Sequence, residues 1–202
     1  MEIPMSKIIV FNSVTLDGVM QAPGRPDEDR RGGFKHGGWG VPYADEETGK
    51  LATEGMQSTG AMLLGRRTYE DLLQHWNKVG GPFKDMLNNM PKYVASTTLK
   101  DPLPWPNSSL LEGELTKAVA ALRKKDGKDI VILGSGDVVR KLLAKRLVDE
   151  LVLLIHPLVL GSGQRFFDDG GAAAVFELAD TRTTTTGVIA ATYHRTNRGP
   201  KA

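Results

Sequence analysis

Residues Asp129 to Val139, DIVILGSGDVV, decide the fold: an aliphatic run enters a Gly134-Ser135-Gly136 turn and leaves it as an apolar-periodic helix. Glycines at such a turn let backbone N–H groups approach an anion, and the helix N-terminus adds partial positive charge there. The same residues also suit a plain tight turn in which Ser135 or Asp137 caps the helix. The full dinucleotide fingerprint is absent, because Val139 stands where a third glycine would be and no acidic residue completes a ribose site. An acid at Asp137 is unfavourable beside a phosphate unless its side chain turns away.

Working outward, strand and helix alternate. KIIVFNSV (Lys7–Val14) reads as the first strand, Ala61–Gly65 as a brief buried strand and Arg66–Trp76 as a helix. A short helix near Phe83–Asn89 precedes a strand at Lys92–Thr97, and Pro102, Pro104 and Pro106 make a rigid connection. Further on come a short strand at Ser109–Glu112 and a helix at Leu115–Lys125. The Asp129–Leu133 strand follows, then a helix at Val138–Arg146 and a strand at Asp149–Pro157. Val175–Thr184 and Gly187–Arg195 read as a closing hairpin. The pattern predicts one α/β domain over residues 1–202: a mixed, mainly parallel central sheet, helices on both faces, and a C-terminal antiparallel hairpin. The Gly- and Pro-rich stretch from Leu16 to Tyr43 is long for a compact domain, which marks it as functional or mobile.

Composition narrows the classes. With 202 residues, 40% hydrophobic and 25% charged, the chain is ordinary for a globular protein. A net charge of +2 does not call for a nucleic-acid or membrane partner, and no apolar run reaches spanning length. The absence of cysteine excludes disulfides, thiol nucleophiles and thiolate metal sites. The four histidines show no pair at metal-ligand spacing. A cytoplasmic protein is the expectation.

Two more strand ends carry polar groups. Leu64-Gly65-Arg66-Arg67-Thr68 places two guanidinium groups in a first helical turn, where cations oppose the dipole by some tenths of a kcal/mol each. A nearby anion accounts for them, as does pairing of one arginine with Glu70 or Asp71 while the other is solvated. Ser96-Thr97-Thr98 offers hydroxyls and no carboxylate, which suits a 2′-phosphate better than a free ribose. By itself it is also an ordinary polar strand end.

Taken in order, Ser13-Val14-Thr15-Leu16-Asp17-Gly18, Leu63 to Glu70, Ile132 to Gly136, Leu147 to Leu151 and His156 to Gly163 carry a resemblance. The chain resembles the dihydrofolate-reductase-like superfamily. Within it, the chain is similar to stand-alone proteins resembling the C-terminal reductase domain of the bifunctional riboflavin-biosynthesis deaminase-reductase. The resemblance implies NADPH as cofactor, with Gly65, Arg66, Arg67 and Thr68 at the phosphates and Ser96 and Thr97 on the 2′-phosphate side. Gly134, Ser135 and Gly136 then cradle the pyrophosphate, and Asp137 and Val138 supply backbone N–H groups. In dihydrofolate reductases two adjacent glycines occupy that turn, and Ser135 departs from this. Asp17 is the polar group implied for the substrate end, although Asp-Gly is also a common turn. Folate enzymes carry an acid after the first loop, where this chain has Asp45, Glu46 and Glu47, with Glu46 the catalytic candidate. None of the three aligns cleanly, and acids also simply suit a first helical turn. The zinc-dependent deaminase half has no counterpart here, and related proteins pair as homodimers. The implied activity is hydride transfer to a small heterocyclic or carbonyl substrate. An NADP(H)-binding sensor or resistance protein without turnover is the alternative.

Overall fold

The computed structural model describes residues 5–57, 59–125 and 128–199. Its strands are β1 (Ile8–Thr15), β2 (Thr59–Gly65), β3 (Lys92–Ala95), β4 (Ser108–Leu110), β5 (Asp129–Leu133), β6 (Glu150–His156), β7 (Phe176–Thr183) and β8 (Ile189–Arg195). The helices are α1 (Glu46–Gln57), α2 (Arg66–Val79), α3 (Pro82–Asn89), α4 (Leu115–Leu122) and α5 (Gly136–Ala144). One eight-stranded sheet has the order β4-β3-β2-β5-β1-β6-β8-β7. The first six strands in that order run parallel, and β8 and β7 close the edge antiparallel. This is the mixed α/β architecture expected from the alternation.

Both faces of the central parallel strands are buried, as parallel strands require, whereas edge strand β7 is largely exposed. Ile8, Val10, Ile130 and Ile132 meet Val119 and Leu122 of α4 and Val139 and Leu142 of α5 on one face. Met62, Leu64, Val94 and Val131 meet Tyr69 of α2 and Leu87 of α3 on the other. Helix α2 forms because Tyr69, Leu72, Leu73 and Trp76 recur at helical spacing and lay one apolar stripe on that face. The proline-rich connection does more than bridge strands. Trp105 is 2% exposed, and its Nε1 donates to Asn88 Oδ1 at 2.6 Å while its backbone N–H donates to the Tyr69 hydroxyl at 3.0 Å.

The segment between β1 and α1 holds two single 3₁₀ turns, Arg31–Gly33 and Val41–Tyr43. It is anchored by Val19, Ala22, Phe34 and Trp39, which form a small core of their own against Leu158 and Leu160. Helix α1 is capped by Asp45, whose Oδ1 accepts from Thr48 N at 2.9 Å while Thr48 Oγ1 accepts from Asp45 N at 2.9 Å. The other Asp45 oxygen accepts from Thr185 Oγ1 at 2.7 Å in the β7–β8 turn, tying hairpin to helix. The hydrogen bonds from Thr48 and Thr185 hold the Asp45 carboxyl far below the usual carboxylate range.

Strand β3 stops at Ala95, two residues short of the span expected from sequence. Ser96 Oγ accepts from the N–H groups of Thr98 at 3.1 Å and Leu99 at 2.9 Å, so the chain turns there instead of extending.

At the start of β3, Lys92 is 1% exposed and has no ion-pair partner among the described residues. Its ammonium donates to the carbonyls of Leu87 and Met90 and lies 5.1 Å from the Trp105 ring centre. Burial lowers its pKa from 10.5 to about 8. The unfolded chain therefore binds this proton more tightly than the folded one, which weakens the fold by about 3 kcal/mol below pH 8. That penalty fades as pH rises through the window from about 8 to 10.5. Unfolding titrations should show wild type gaining stability across this window relative to Lys92→Met. Parallel pH curves for the two proteins would rule the effect out.

Candidate functional site

The connections out of the central strands determine where a ligand can sit. The chain leaves β2 toward the α2 face and β1 toward α1, whereas β5, lying between them, leaves toward the opposite face with α5. Connections that part to opposite faces open a crevice beyond the strand carboxyl ends, where ligands bind in open α/β sheets. A cleft of about 1000 Å³ opens at this place. It is lined by Gly65, Arg66, Arg67 and Thr68 from the β2–α2 turn, by Ser96 and Thr97 beyond β3, and by Gly134 through Val138 from the β5–α5 turn. Sequence reasoning grouped these three strand ends, and the sheet brings them to one cavity.

One hydroxyl joins two of the turns. Ser135 Oγ accepts from Gly65 N at 2.9 Å and donates to Thr68 Oγ1 at 3.0 Å. Ser135 is left-handed (φ 55°, ψ 48°) and follows Gly134, also at positive φ (54°). For a serine that conformation costs roughly 1–2 kcal/mol, which the cross-turn hydrogen bonds offset. Because the hydroxyl reaches across to α2, it does not cap its own helix, and α5 starts without a side-chain cap. Its carbonyl takes the N–H groups of Val138 at 2.8 Å and Val139 at 3.1 Å, while those of Gly136 and Asp137 have no acceptor among the described residues. Helix α2 also starts uncapped by any side chain. Two helix N-termini thus present partial positive charge to one cavity.

Charged side chains complete the wall. Asp137 turns aside to pair with Arg140, which also pairs with Asp168 at 2.7 Å and donates to the Arg165 carbonyl at 3.1 Å. Arg66 pairs with Glu70 at 2.9 Å. Arg67 is exposed and has no ion-pair partner among the described residues, nor do Arg30 and Lys141, which also line the cleft.

Two sequence candidates lie elsewhere. Asp17 does not line the cleft, since its carboxylate accepts from Thr15 Oγ1 at 2.5 Å, Leu160 N at 3.2 Å and Gly161 N at 2.9 Å. The Thr15 hydrogen bond, with those from Gly161 and Leu160, lowers its pKa against a smaller burial effect, so it ties a loop as a carboxylate. Glu46 is in the first turn of α1, paired with Lys50 at 2.9 Å and 83% exposed. Glu47 reaches the same lysine at 3.3 Å and Asp45 is the helix cap, so none of the three acids faces the cleft.

The cleft also holds two residues that sequence reasoning missed. Asn12 occupies an inward position of β1, in alternation with buried Ile8, Val10 and Val14, and is 6% exposed. Its Nδ2 has no hydrogen-bond partner among the described residues, a defect worth about 1–3 kcal/mol. An amide within an otherwise apolar alternation was the readable signal. Glu28 comes from the long β1–α1 loop, with Oε2 accepting from Gly24 N at 2.7 Å and Arg25 N at 3.1 Å. Burial, with Asp71 nearby, pushes its carboxyl up despite those hydrogen bonds. Nothing local in the sequence marks it.

Among the cleft-lining residues there is no tryptophan, and Trp39 packs edge-on to His156 with ring centres 5.0 Å apart. Among the described residues no group of His, Asp or Glu is arranged to hold a metal ion, and no helix is long and apolar enough to cross a membrane.

The RibD C-terminal domain model matches residues 6–190. The chain belongs to the RibD C-terminal domain family. A Bacillus subtilis relative, uncharacterized protein YyaP, is 29% identical over 194 residues, covering 93% of this chain and 94% of that one. A putative riboflavin biosynthesis protein from Shewanella sp. PV-4 superposes with TM-score 0.73 at 24% identity, over 95% of this chain and 99% of its own. A pyrimidine reductase-like protein from Corynebacterium diphtheriae superposes with TM-score 0.66 at 14% identity, over 96% and 93% of the two chains. Dihydrofolate reductase from Enterococcus faecalis, solved with NADP(H) and RAB-propyl, does so with TM-score 0.62 at 17% identity, over 96% and 99%. These structures establish a dihydrofolate-reductase-like fold for this member of the family.

The Ser135 bridge makes a prediction that separates hydroxyl from backbone. Ser135→Ala loses both hydrogen bonds and keeps the left-handed cost, so urea unfolding should show a loss of about 1–2 kcal/mol. Ser135→Gly loses the same bonds but relieves the backbone and should lose less. If both variants unfold like wild type, the hydroxyl does not hold the turns together.

Proposed function

We propose that this protein is an NADPH-dependent reductase that delivers a hydride to a small heterocyclic or carbonyl substrate. The observation that carries this reading is the convergence of two side-chain-uncapped helix N-termini, locked together by Ser135, on one cleft at the strand carboxyl ends. The unaccepted N–H groups of Gly136 and Asp137 fit a pyrophosphate, with Gly134, Ser135 and Val138 shaping the turn. Gly65 through Thr68 form the opposing wall. Gly65 is in register with Ala95, so Arg66 follows at the level of Ser96 and Thr97, where a 2′-phosphate fits.

Bound in this cleft, NADPH supplies the hydride. The chain supplies position and a proton-holding group. Glu28 fits the second role better than Asp17 or Glu46, because it lines the cleft and keeps its proton to higher pH than an ordinary glutamate.

Fluorescence titration should find NADPH bound more tightly than NADH, and Arg66→Ala should narrow that gap by about tenfold, the worth of one charge-assisted hydrogen bond. Equal affinity of the wild type for both cofactors would overturn the 2′-phosphate assignment. Tight NADPH binding with no NADPH consumption across a panel of carbonyl and heterocyclic compounds would favour the binding module without turnover.

A further inference from the structure

We infer that the Asn12 side chain pairs with the carboxamide of the nicotinamide ring, an inference that rests on the NADPH reading above. The last β1–β5 pair is Phe11 with Leu133, and from Asn12 onward β1 is paired only with β6. Asn12 is therefore the first β1 residue past the point where the two strands part, level with the start of the Gly134 turn.

The order of strands then sets the order of ligand parts. The joined helix N-termini lie at the ends of β2 and β5, and the hydroxyls of Ser96 and Thr97 lie beyond β3 on one side of them. A dinucleotide with its pyrophosphate at the centre and its 2′-phosphate toward β3 extends its other half toward β1. There the cleft wall offers Asn12, Ser13 and Met20.

Asn12 has the chemistry this end needs. The residue is 6% exposed, and Nδ2 is buried and lacks an acceptor among the described residues. A carboxamide carries one carbonyl acceptor and one amino donor in a plane, the complement of an asparagine side chain. A half-turn about the last torsion exchanges Nδ2 and Oδ1, so either end of the amide can be presented. Met20, which lines the same cleft, is able to give way: its sulfur packs 2.7 Å from where a Cβ on Gly136 would stand, and its unbranched side chain adapts readily.

The test compares NADPH with 2′,5′-ADP, which has the adenosine and the 2′-phosphate but no nicotinamide. In Asn12→Val and Asn12→Ser, calorimetry should show NADPH affinity reduced about tenfold, near 1.4 kcal/mol. Affinity for 2′,5′-ADP should stay within about twofold of wild type. Without ligand, Asn12→Val should melt at or above the wild-type temperature, because it removes an unpaired buried amide. Unchanged NADPH affinity in both variants would overturn the inference, as would a parallel loss of both ligands. Wild type that binds neither compound would overturn the NADPH reading itself.

Discussion

The two hydrogen bonds made by the Ser135 hydroxyl set the distance between the β2–α2 and β5–α5 turns, and the cleft depends on that distance. The strands beneath are pinned by parallel pairing from Ala61 with Ile130 to Leu63 with Ile132. Pairing ends before the turns, so the last residues of each connection would otherwise be free to separate. A glycine at residue 135 would be easier for the backbone but could not reach Gly65 and Thr68. The chain accepts a left-handed serine and in return joins two helix N-termini. Using the hydroxyl across the cleft leaves α5 without its own cap, so the bridge and the unaccepted N–H groups arise from the same choice.

The far wall depends on a different set of ties. Asp17 fastens Leu160 and Gly161, Val19 bridges to Arg165, and Gln21 Oε1 accepts from Gln164 N at 2.9 Å. Gln21 Nε2 donates to the carbonyls of Asp29 at 3.2 Å and Arg31 at 3.0 Å, and the Trp39 indole donates to the Gln21 carbonyl at 2.7 Å. The long loop is thereby held by backbone bonds and a small core of its own. This is how Glu28 and Arg30 come to stand at fixed places on the cleft wall although no regular element carries them.

Much of this was legible in the sequence. Helix and strand periods located the elements, because both faces of the central parallel strands are buried and the apolar residues recur accordingly. The three strand-end clusters were also readable, since a strand, a small-residue turn and a helix give a fixed geometry whatever lies around them. Asp17 and Glu46 show where local reading fails. An Asp-Gly pair and an acidic first turn look the same whether they serve a cleft or a fold; for Asp17 the distinction rests on the distant Leu160 and Gly161, and for Glu46 on where the folded chain places α1 relative to the cleft. Ser135 was visible as a departure from glycine, but its partners are about seventy residues away, so its role as a bridge could not be read locally. Glu28 was hidden for the related reason that burial of an acid in an irregular loop has no periodic signature.

The charges around the cleft determine what kind of anion it favours. Four of its acids are matched locally, Glu70 by Arg66, Asp71 by Arg25, Asp29 by Arg31 and Asp137 by Arg140, while Glu28 and Glu114 have no ion-pair partner among the described residues. Partly exposed pairs of this sort contribute about 0–1 kcal/mol each, so exchanging Glu70 for a phosphate at Arg66 costs little. Arg67, Arg30 and Lys141, without ion-pair partners among the described residues, add positive potential without any exchange. Backbone N–H groups at the two helix starts differ from these side chains, being fixed in direction and unable to swing to solvent. A lone carboxylate would satisfy the mobile cations but leave the paired helix starts under-used. An extended anion with a central pyrophosphate and a further phosphate toward Ser96 engages both kinds of group, and so gains from the rigidity that the Ser135 bridge provides.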